Sequence, residues 1–390
     1  MSEEEVVIVS AVRTPLCRAR KGGLAKVPVS TLLGTALKGC LDRVNIDGSA
    51  VEDVCVGNVL CPASGAVTMR MAQLACGIPH TSSLQTVNRQ CSSGLQAVAN
   101  IANSILAGNI SIGIGAGVES MSTHPMHKMP APDVDWPTMQ SCGSAMDCLT
   151  PMGVTSENVA NQFQLSRTTL DEFAAQSHVK AAKAQAAGKF IGEIIPVGDV
   201  SQDDGIRPST TPQKLSKLKP VFDKEKGSTT AGNSSQLTDG AAAVLLMTRK
   251  EAIRRNLPIL GVWKSFAVKG VPPNIMGIGP AVAIPAALSQ LSLTVDDVHT
   301  FEINEAFASQ AHYCIDQLKI PSQKVNPNGG AIALGHPLGC TGVRLLVTLL
   351  HHLLAEPNNK PHYGVVSMCI GTGMGAAAVI QTQPTQQSSL

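Results

Sequence analysis

The chain repeats one short pattern, first as Val51-Glu52-Asp53-Val54 and again as Val295-Asp296-Asp297-Val298, and this repeat decides the fold that the sequence predicts. A cysteine-centred motif follows the first copy, and a histidine-centred motif follows the second copy at nearly the same distance. In a pseudo-twofold pair of α/β domains, two such motifs can face each other. We therefore predict two related domains with these motifs between them.

Short β-branched runs alternate with longer segments of helical period along the chain. The runs are typical of strands buried on both faces and cover 6–9, 54–56, 110–115, 241–247, 259–263, 300–303 and 364–368. The main helical segments cover 32–43, 96–106, 170–187 and 342–354. The alternation predicts an α/β fold.

Length and composition exclude several classes of protein. The chain has 390 residues, 44% hydrophobic and 15% charged, which predicts more than one core and extensive burial. A net charge of +2 gives no general attraction for nucleic acid or an anionic membrane. No apolar stretch approaches the roughly 20 residues that span a bilayer, and the acidic start does not resemble a secretory signal.

We predict four parts of the chain. Residues 1–120 and 233–262 form an amino-terminal domain, and 263–382 form a carboxy-terminal domain. Residues 121–232, rich in proline, methionine and serine, form a loop domain inserted over one face. Residues 383–390 are polar and form a disordered tail.

Cys91 is the first candidate for chemistry, in Asn88-Arg89-Gln90-Cys91-Ser92-Ser93-Gly94. The segment lies between an extended run and a helix, where the helix dipole would lower the pKa of the thiol and favour the nucleophilic thiolate. The alternative is a small buried hydrophobic residue, since the chain has eleven cysteines.

Two glycine-rich segments hold the next candidates. His336, in Gly335-His336-Pro337-Leu338-Gly339, precedes a helix and is either a base or an ordinary turn histidine. Cys369, in Cys369-Ile370-Gly371-Thr372-Gly373-Met374-Gly375, ends a strand beside backbone N–H groups that can donate to an oxyanion, or is a core cysteine beside a turn. Ala376 breaks the spacing of a dinucleotide-binding loop.

Asn304-Glu305-Ala306-Phe307 follows a predicted strand and, taken alone, indicates a helix cap more than a catalytic element. The histidines and cysteines lack the spacing of a ligand set, so no metal site is predicted. An odd number of scattered cysteines is typical of a reduced compartment.

These four motifs, in their order along the chain, resemble those of the thiolase family, and the resemblance covers residues 6–382. Segments 204–211, 229–236 and 270–273 are most similar to its degradative peroxisomal 3-ketoacyl-CoA branch. The resemblance implies a five-layered α-β-α-β-α fold of two similar domains with an inserted loop domain, assembled as a homodimer or homotetramer. It also implies cleavage of 3-ketoacyl-CoA by free coenzyme A (CoA) in fatty acid β-oxidation, with no tightly bound cofactor.

The same resemblance assigns roles to the motif residues. Cys91 would be the nucleophile and acyl carrier, His336 the base that activates it, and Cys369 the acid and later the base. Asn304 would hold a water that stabilises the enolate with His336. The N–H groups of Cys91 and Gly371 would stabilise the acyl oxyanion.

For the ligand, the resemblance places Ser265 near the pantetheine arm, Met152 and Phe307 in the acyl pocket, and Arg207 or Lys219 near the nucleotide. The lysine-rich segment 214–226 could supply the local positive charge that CoA needs, or could be a solvated surface run.

Three alternatives stay open at this point: a biosynthetic acetoacetyl-CoA thiolase, a decarboxylating condensing synthase, and a CoA or lipid carrier without activity. The second catalytic thiol argues against the synthase. The terminal Ser388-Ser389-Leu390 resembles a peroxisomal address without its basic middle residue, so we expect a peroxisomal location and otherwise a cytoplasmic one.

Overall fold

The structure is a computed structural model that describes residues 3–356 and 360–383. The strands in this part of the chain are β1 (Val6–Arg13), β2 (Cys17–Arg18), β3 (Asp53–Gly57), β4 (Ser83–Val87), β5 (Ile112–Ser120), β6 (Thr238–Thr248), β7 (Gly261–Gly270), β8 (Val298–Ile303), β9 (Tyr363–Ile370) and β10 (Met374–Gln381).

The helices before β6 are α1 (Val29–Asp42), α2 (Ala66–Ala75), α3 (Ser93–Leu106), α4 (Trp136–Gln140), α5 (Gly143–Asp147), α6 (Met152–Gln162), α7 (Arg167–Ala186) and α8 (Pro212–Leu215). Those after it are α9 (Arg249–Arg254), α10 (Gly279–Ser289), α11 (Ala308–Gln317), α12 (Ala331–Leu334) and α13 (Leu338–Ala355).

The strand order carries the predicted duplication. Strands run β4-β3-β5-β6-β1 in the amino-terminal half and β7-β10-β9-β8 in the other, with β1 and β7 joined by a short antiparallel contact. In the first half β3 is parallel to β5, and β5, β6 and β1 are antiparallel in turn. In the second half β8, β9, β10 and β7 repeat this pattern. The repeat is confirmed, because its two copies immediately precede the equivalent strands β3 and β8.

The helices divide the protein into five layers, as predicted. Helices α3 and α13 lie together between the two half-sheets, α1 covers the outer face of the first, and α10 covers the outer face of the second. The three main apolar clusters fill the spaces between these layers. Helix α13 is apolar and long enough to cross a membrane by length and composition, but 78% of it is buried. It is the central helix of this core.

The central helices approach so closely that only glycine fits between their first turns. A Cβ atom at Gly94 of α3 would lie 2.5 Å from the carbonyl oxygen of Gly339 in α13, and one at Gly117 of β5 would lie 2.2 Å from the same oxygen. Cys91 and His336 each lie two residues before these helices begin. The contact therefore brings the two motif segments together.

Three strands were not predicted from the sequence, namely the two-residue β2, β4 and β10. Strand β4 is an edge strand with polar, partly exposed residues, so it lacks an apolar signal. Strand β10 begins in the segment predicted as a glycine-rich loop and continues beyond it. Its small residues are required because a Cβ atom at Gly375 would meet the backbone of Gly279 in α10. The predicted tail falls almost entirely on residues 384–390, outside the described part of the chain.

We predict that Gly94→Ala lowers the free energy of unfolding by about 1–3 kcal/mol, because the added methyl group overpacks the contact between α3 and α13. Chemical denaturation of the purified protein measures this change. The matched control is Gly34→Ala in α1, whose Cβ atom would make only ordinary contacts at 3.8 Å. This control should be neutral or stabilising by up to about 1 kcal/mol. Equal destabilisation by both variants would contradict the prediction.

Candidate active site

The Cys91 segment is a tight turn between edge strand β4 and helix α3. Gln90 adopts a left-handed backbone conformation with φ of 46°, which turns the chain just before the cysteine. The Asn88 side chain accepts a hydrogen bond from the Gln90 N–H at 2.9 Å, and the Ser93 hydroxyl donates to the Gln90 carbonyl at 2.6 Å. These bonds fix Cys91 at the start of α3.

Cys91 is partly exposed and packs against a cluster of buried apolar side chains, formed by Val59, Leu60, Met121 and Leu338. Burial raises the pKa of its thiol to about 11, although hydrogen bonds from the N–H groups of Gly371 and of Cys91 itself act in the opposite direction. The expectation that the helix start lowers this pKa is therefore wrong for the free protein, because desolvation of the thiolate outweighs the backbone donors. Cys91 rests as a neutral thiol.

Cys369 is fully buried near the end of β9, where it pairs with Gly375 of β10. Burial raises the pKa of its thiol well above the usual value, and the neighbouring Cys91 raises it further. Cys369 packs with Met276 and Ala306, and Met152 and Phe307 lie against this cluster. The two thiols thus share one site, with the Gly371 N–H directed at Cys91.

His336 is 5% exposed and lies just before α13. Its Nδ1 atom is 2.6 Å from the Thr341 hydroxyl, and its Nε2 atom is 3.4 Å from the Asn304 amide nitrogen. Burial lowers the pKa of the imidazole to about 3, and the nearby Arg344 guanidinium lowers it further. His336 is therefore neutral, as a base must be before it accepts a proton.

Asn304 directly follows β8, and its N–H donates to the Ser367 carbonyl at 2.9 Å. Its Oδ1 atom is buried and has no hydrogen-bond partner among the described residues, so the site offers an acceptor for a water or a substrate. The neighbouring Glu305 accepts hydrogen bonds from Ser177 at 2.6 Å and Asn326 at 2.8 Å. The motif therefore links the end of β8 to β9, to helix α7 and to the segment before α12. Asn304 and Glu305 do not cap the following helix α11, whose N-cap position is Phe307.

Glu119 is a site-supporting residue that the sequence analysis missed. It is fully buried on β5 and accepts hydrogen bonds from the N–H groups of Val59, Leu60 and Gly339 and from the Asn58 amide. It therefore links the loop residues Val59 and Leu60, which pack against Cys91, to the start of α13. Burial raises the pKa of this carboxyl group to about 7, against the effect of the donors. A lone glutamate in a strand gives no sequence signal for this role.

The predicted ligand contacts are not all brought together. Met152 and Phe307 lie beside Cys369. Arg207 and Lys219 are exposed on the loop region, and the Arg207 N–H donates to His178. Ser265 lies inside β7, where its hydroxyl donates to the Ala287 carbonyl of α10 at 2.8 Å. The structure thus places the Ser265 hydroxyl in the packing between β7 and α10.

The site combines two thiols with backbone N–H donors, and a buried neutral imidazole lies at the start of the adjacent central helix. This arrangement is suited to acyl transfer through a covalent cysteine intermediate. The family models agree: residues 6–250 match "Thiolase, N-terminal domain" and residues 257–382 match "Thiolase, C-terminal domain". The chain therefore belongs to the thiolase family, which transfers acyl groups.

Within the thiolase family, the chain is similar to several 3-ketoacyl-CoA thiolases. The chain is 56% identical to peroxisomal 3-ketoacyl-CoA thiolase A of Mus musculus over 97% of this chain and 91% of that protein. It is similar to the crystal structure of the dimeric peroxisomal thiolase of Saccharomyces cerevisiae, with 47% identity, a TM-score of 0.94 and 98% of each chain covered. It is also similar to human mitochondrial 3-ketoacyl-CoA thiolase in complex with CoA, with 35% identity, a TM-score of 0.87, and 98% and 99% of the two chains covered.

We predict that iodoacetamide modifies Cys91 slowly at pH 7 and about tenfold faster for each pH unit up to about pH 10. The reason is that only the thiolate reacts and the pKa of this thiol lies near 11, so the thiolate fraction rises throughout this range. Mass spectrometry of the Cys91 peptide gives the rate, and the exposed Cys142 reports access of the reagent. A rate that levels off below pH 8 would show that the free thiol is already activated.

Proposed function

We propose that this thiolase cleaves 3-ketoacyl-CoA with free CoA, giving acetyl-CoA and an acyl-CoA shortened by two carbons, as in fatty acid β-oxidation. The observation that carries the proposal is the proximity of two thiols, Cys91 and Cys369, with the N–H group of Gly371 bonded to the Cys91 thiol. Cleavage of the C2–C3 bond needs a nucleophile at C3 and a separate acid for the departing enolate. One thiol cannot do both at once.

In the first step, His336 Nε2 takes the proton of the Cys91 thiol as sulfur bonds to C3 of the substrate. The C3 oxygen then carries negative charge, which the N–H groups of Cys91 and Gly371 stabilise. One such donor typically contributes about 3–4 kcal/mol to the transition state. Because Cys91 and His336 are both neutral at rest, charge develops on them only when the C3 carbonyl of the substrate is present to take up the negative charge.

In the second step, the C2–C3 bond breaks and its electron pair passes to C2 as the enolate of acetyl-CoA. Cys369 gives its proton to C2 and is left as a thiolate, which the high pKa of this buried group makes a strong base. The open Oδ1 acceptor of Asn304 supports a water that, with His336, stabilises the enolate oxygen. Acetyl-CoA leaves, and the acyl group stays on Cys91.

In the last step, free CoA takes the acyl group. The Cys369 thiolate removes the proton of the CoA thiol, whose sulfur attacks the acyl carbon, and the released Cys91 sulfur recovers its proton from His336. Both thiols and the imidazole return to their starting states, so the cycle balances without a redox cofactor or a metal.

The alternatives to this cycle lose support. The mouse and human relatives described above are named 3-ketoacyl-CoA thiolases, which favours degradation over acetoacetyl-CoA synthesis. A decarboxylating synthase would leave Cys369 without a role. An inactive carrier does not need the buried pairing of His336 with Asn304.

We predict that addition of a 3-ketoacyl-CoA without free CoA places an acyl group on Cys91, because the nucleophile holds the acyl chain until CoA arrives. Intact-protein and peptide mass spectrometry detect it. Cys91→Ser should abolish the adduct, whereas Cys61→Ser, at a buried cysteine on the neighbouring loop, should retain it. An active enzyme in which Cys91 stays unmodified would refute the assignment.

We also propose that residues 121–232 act as a loop domain that covers the site and binds the nucleotide end of CoA. Lys217, Lys219, Lys224 and Lys226 are exposed on one segment of it. The same segment is anchored by Phe222, whose ring lies against Gly153 beside the acyl-pocket residue Met152. This contact supports a cluster of positive charge at the rim of the site.

We predict that Lys219→Glu raises KM for CoA about fivefold and leaves kcat unchanged, since the loss of charge at the rim costs roughly 1 kcal/mol of binding. Steady-state kinetics at low salt measure both constants. Lys250→Glu on α9 is the control, because Lys250 is equally exposed but lies in the amino-terminal domain outside the loop region. An equal change in KM for both variants would indicate only a general charge effect.

We further propose a homodimer located in peroxisomes, which the named peroxisomal relative and the dimeric yeast structure support. The terminal Ser388-Ser389-Leu390 lies outside the described residues. Sedimentation would test the assembly, and a fluorescent fusion with a free carboxyl terminus would test the location.

A further inference from the structure

We propose that Thr341 is a positioning residue that holds His336 as the tautomer with the proton on Nδ1, so that Nε2 presents its lone pair as the base. This inference rests on the proposed function, because it concerns the base that activates Cys91. It assigns a task to a buried hydroxyl group that the sequence analysis did not single out.

The hydrogen bonds of Thr341 indicate which atom carries the shared proton. Its hydroxyl oxygen is 2.6 Å from His336 Nδ1 and 3.0 Å from the Pro337 carbonyl oxygen, which can only accept. A hydroxyl group has one proton, and the Pro337 carbonyl cannot supply one. Both contacts are therefore hydrogen bonds at the same time only if the hydroxyl donates to Pro337 and the imidazole donates from Nδ1.

The contact on the opposite side of the imidazole ring also fits a proton on Nδ1 and none on Nε2. The Asn304 amide nitrogen lies 3.4 Å from His336 Nε2, and an amide N–H can donate only to a ring nitrogen that carries no proton. Both neighbours therefore fit one tautomer, with Nδ1 protonated and Nε2 free.

The charges around the ring make the choice of tautomer decisive. The Arg344 guanidinium is fully buried on α13, the helix that begins two residues after His336. Its ion pair with Glu302 is long, at 3.4 Å. The start of α13 also presents the positive end of its dipole to His336. Both disfavour a doubly protonated ring, so at rest His336 has a single proton, and its position decides whether Nε2 can accept another.

Thr341 is suited to this task because its own position is rigid. It is fully buried in the first turns of α13, where its N–H donates to the same Pro337 carbonyl, and a β-branched side chain in a helix has few rotamers. Without the hydroxyl group, Nδ1 would face a buried space with no acceptor. The proton would then move to Nε2, where it blocks the transfer from Cys91.

The experiment compares Thr341→Val, which removes the hydroxyl group at constant shape, with Thr341→Ser, which keeps it. The control is Thr348→Val, a buried threonine later on α13 whose hydroxyl bonds to Glu193. Nitrogen-15 NMR of histidine-labelled protein identifies the tautomer of His336, assigned by difference with His336→Gln. Single-turnover acylation of Cys91 by a 3-ketoacyl-CoA gives the rate of the chemical step.

We expect the Nδ1–H tautomer in the wild-type protein, in Thr341→Ser and in the control, and its loss in Thr341→Val. Acylation should fall about 10- to 100-fold in Thr341→Val and stay within about threefold in the other two. An Nε2–H signal in the wild-type protein, or unchanged acylation in a folded Thr341→Val, would overturn the inference. Absence of acylation in the wild-type protein with an Nδ1–H signal would instead refute the proposed function and leave the tautomer assignment standing.

Discussion

The close approach of helices α3 and α13 is the constraint on which the site depends. Their first turns touch through Gly94 and the Gly339 backbone, with Gly117 of β5 pressed against the same carbonyl. Because Cys91 and His336 each precede one of these helices by two residues, any increase in the helix separation would move Cys91 away from His336, the nucleophile and the base of the proposed reaction. The glycines therefore set the spacing of these two residues from within the core, where close packing leaves little room for adjustment.

Burial in this core also determines the electrostatics of the site. The pKa of the Cys91 thiol is raised and that of the His336 imidazole is lowered, and both shifts have desolvation as their largest cause. The pair is neutral without substrate, although a thiolate at a helix start is the simpler expectation from sequence. In the proposed reaction, the substrate oxygen and the Gly371 N–H support the separation of charge, so the Cys91 thiolate forms only when substrate is bound.

The sequence was sufficient for the duplicated architecture and for the residues with recognisable motifs, because short β-branched runs and glycine-rich turns have local signatures. It was insufficient where the cause lies in distant contacts. Strand β10 looks like a loop because α10 excludes side chains from Gly375, and Glu119 is unremarkable in its own segment. Ser265 gives another example, because its bond to the Ala287 carbonyl of α10 cannot be predicted from its own segment.

The duplication explains how one scaffold holds two different sets of side chains around one substrate. Asn58 follows β3 as Asn304 follows β8, Glu119 is the second-last residue of β5 as Cys369 is of β9, and Cys91 precedes α3 as His336 precedes α13. In the amino-terminal half, Glu119 and Asn58 bond to each other and to backbone N–H groups, including that of Gly339. The counterpart Asn304 leaves its Oδ1 atom without a hydrogen-bond partner among the described residues. One half thus uses these positions to fix the site, and in the proposed reaction the other half keeps Cys369 and Asn304 available for the substrate.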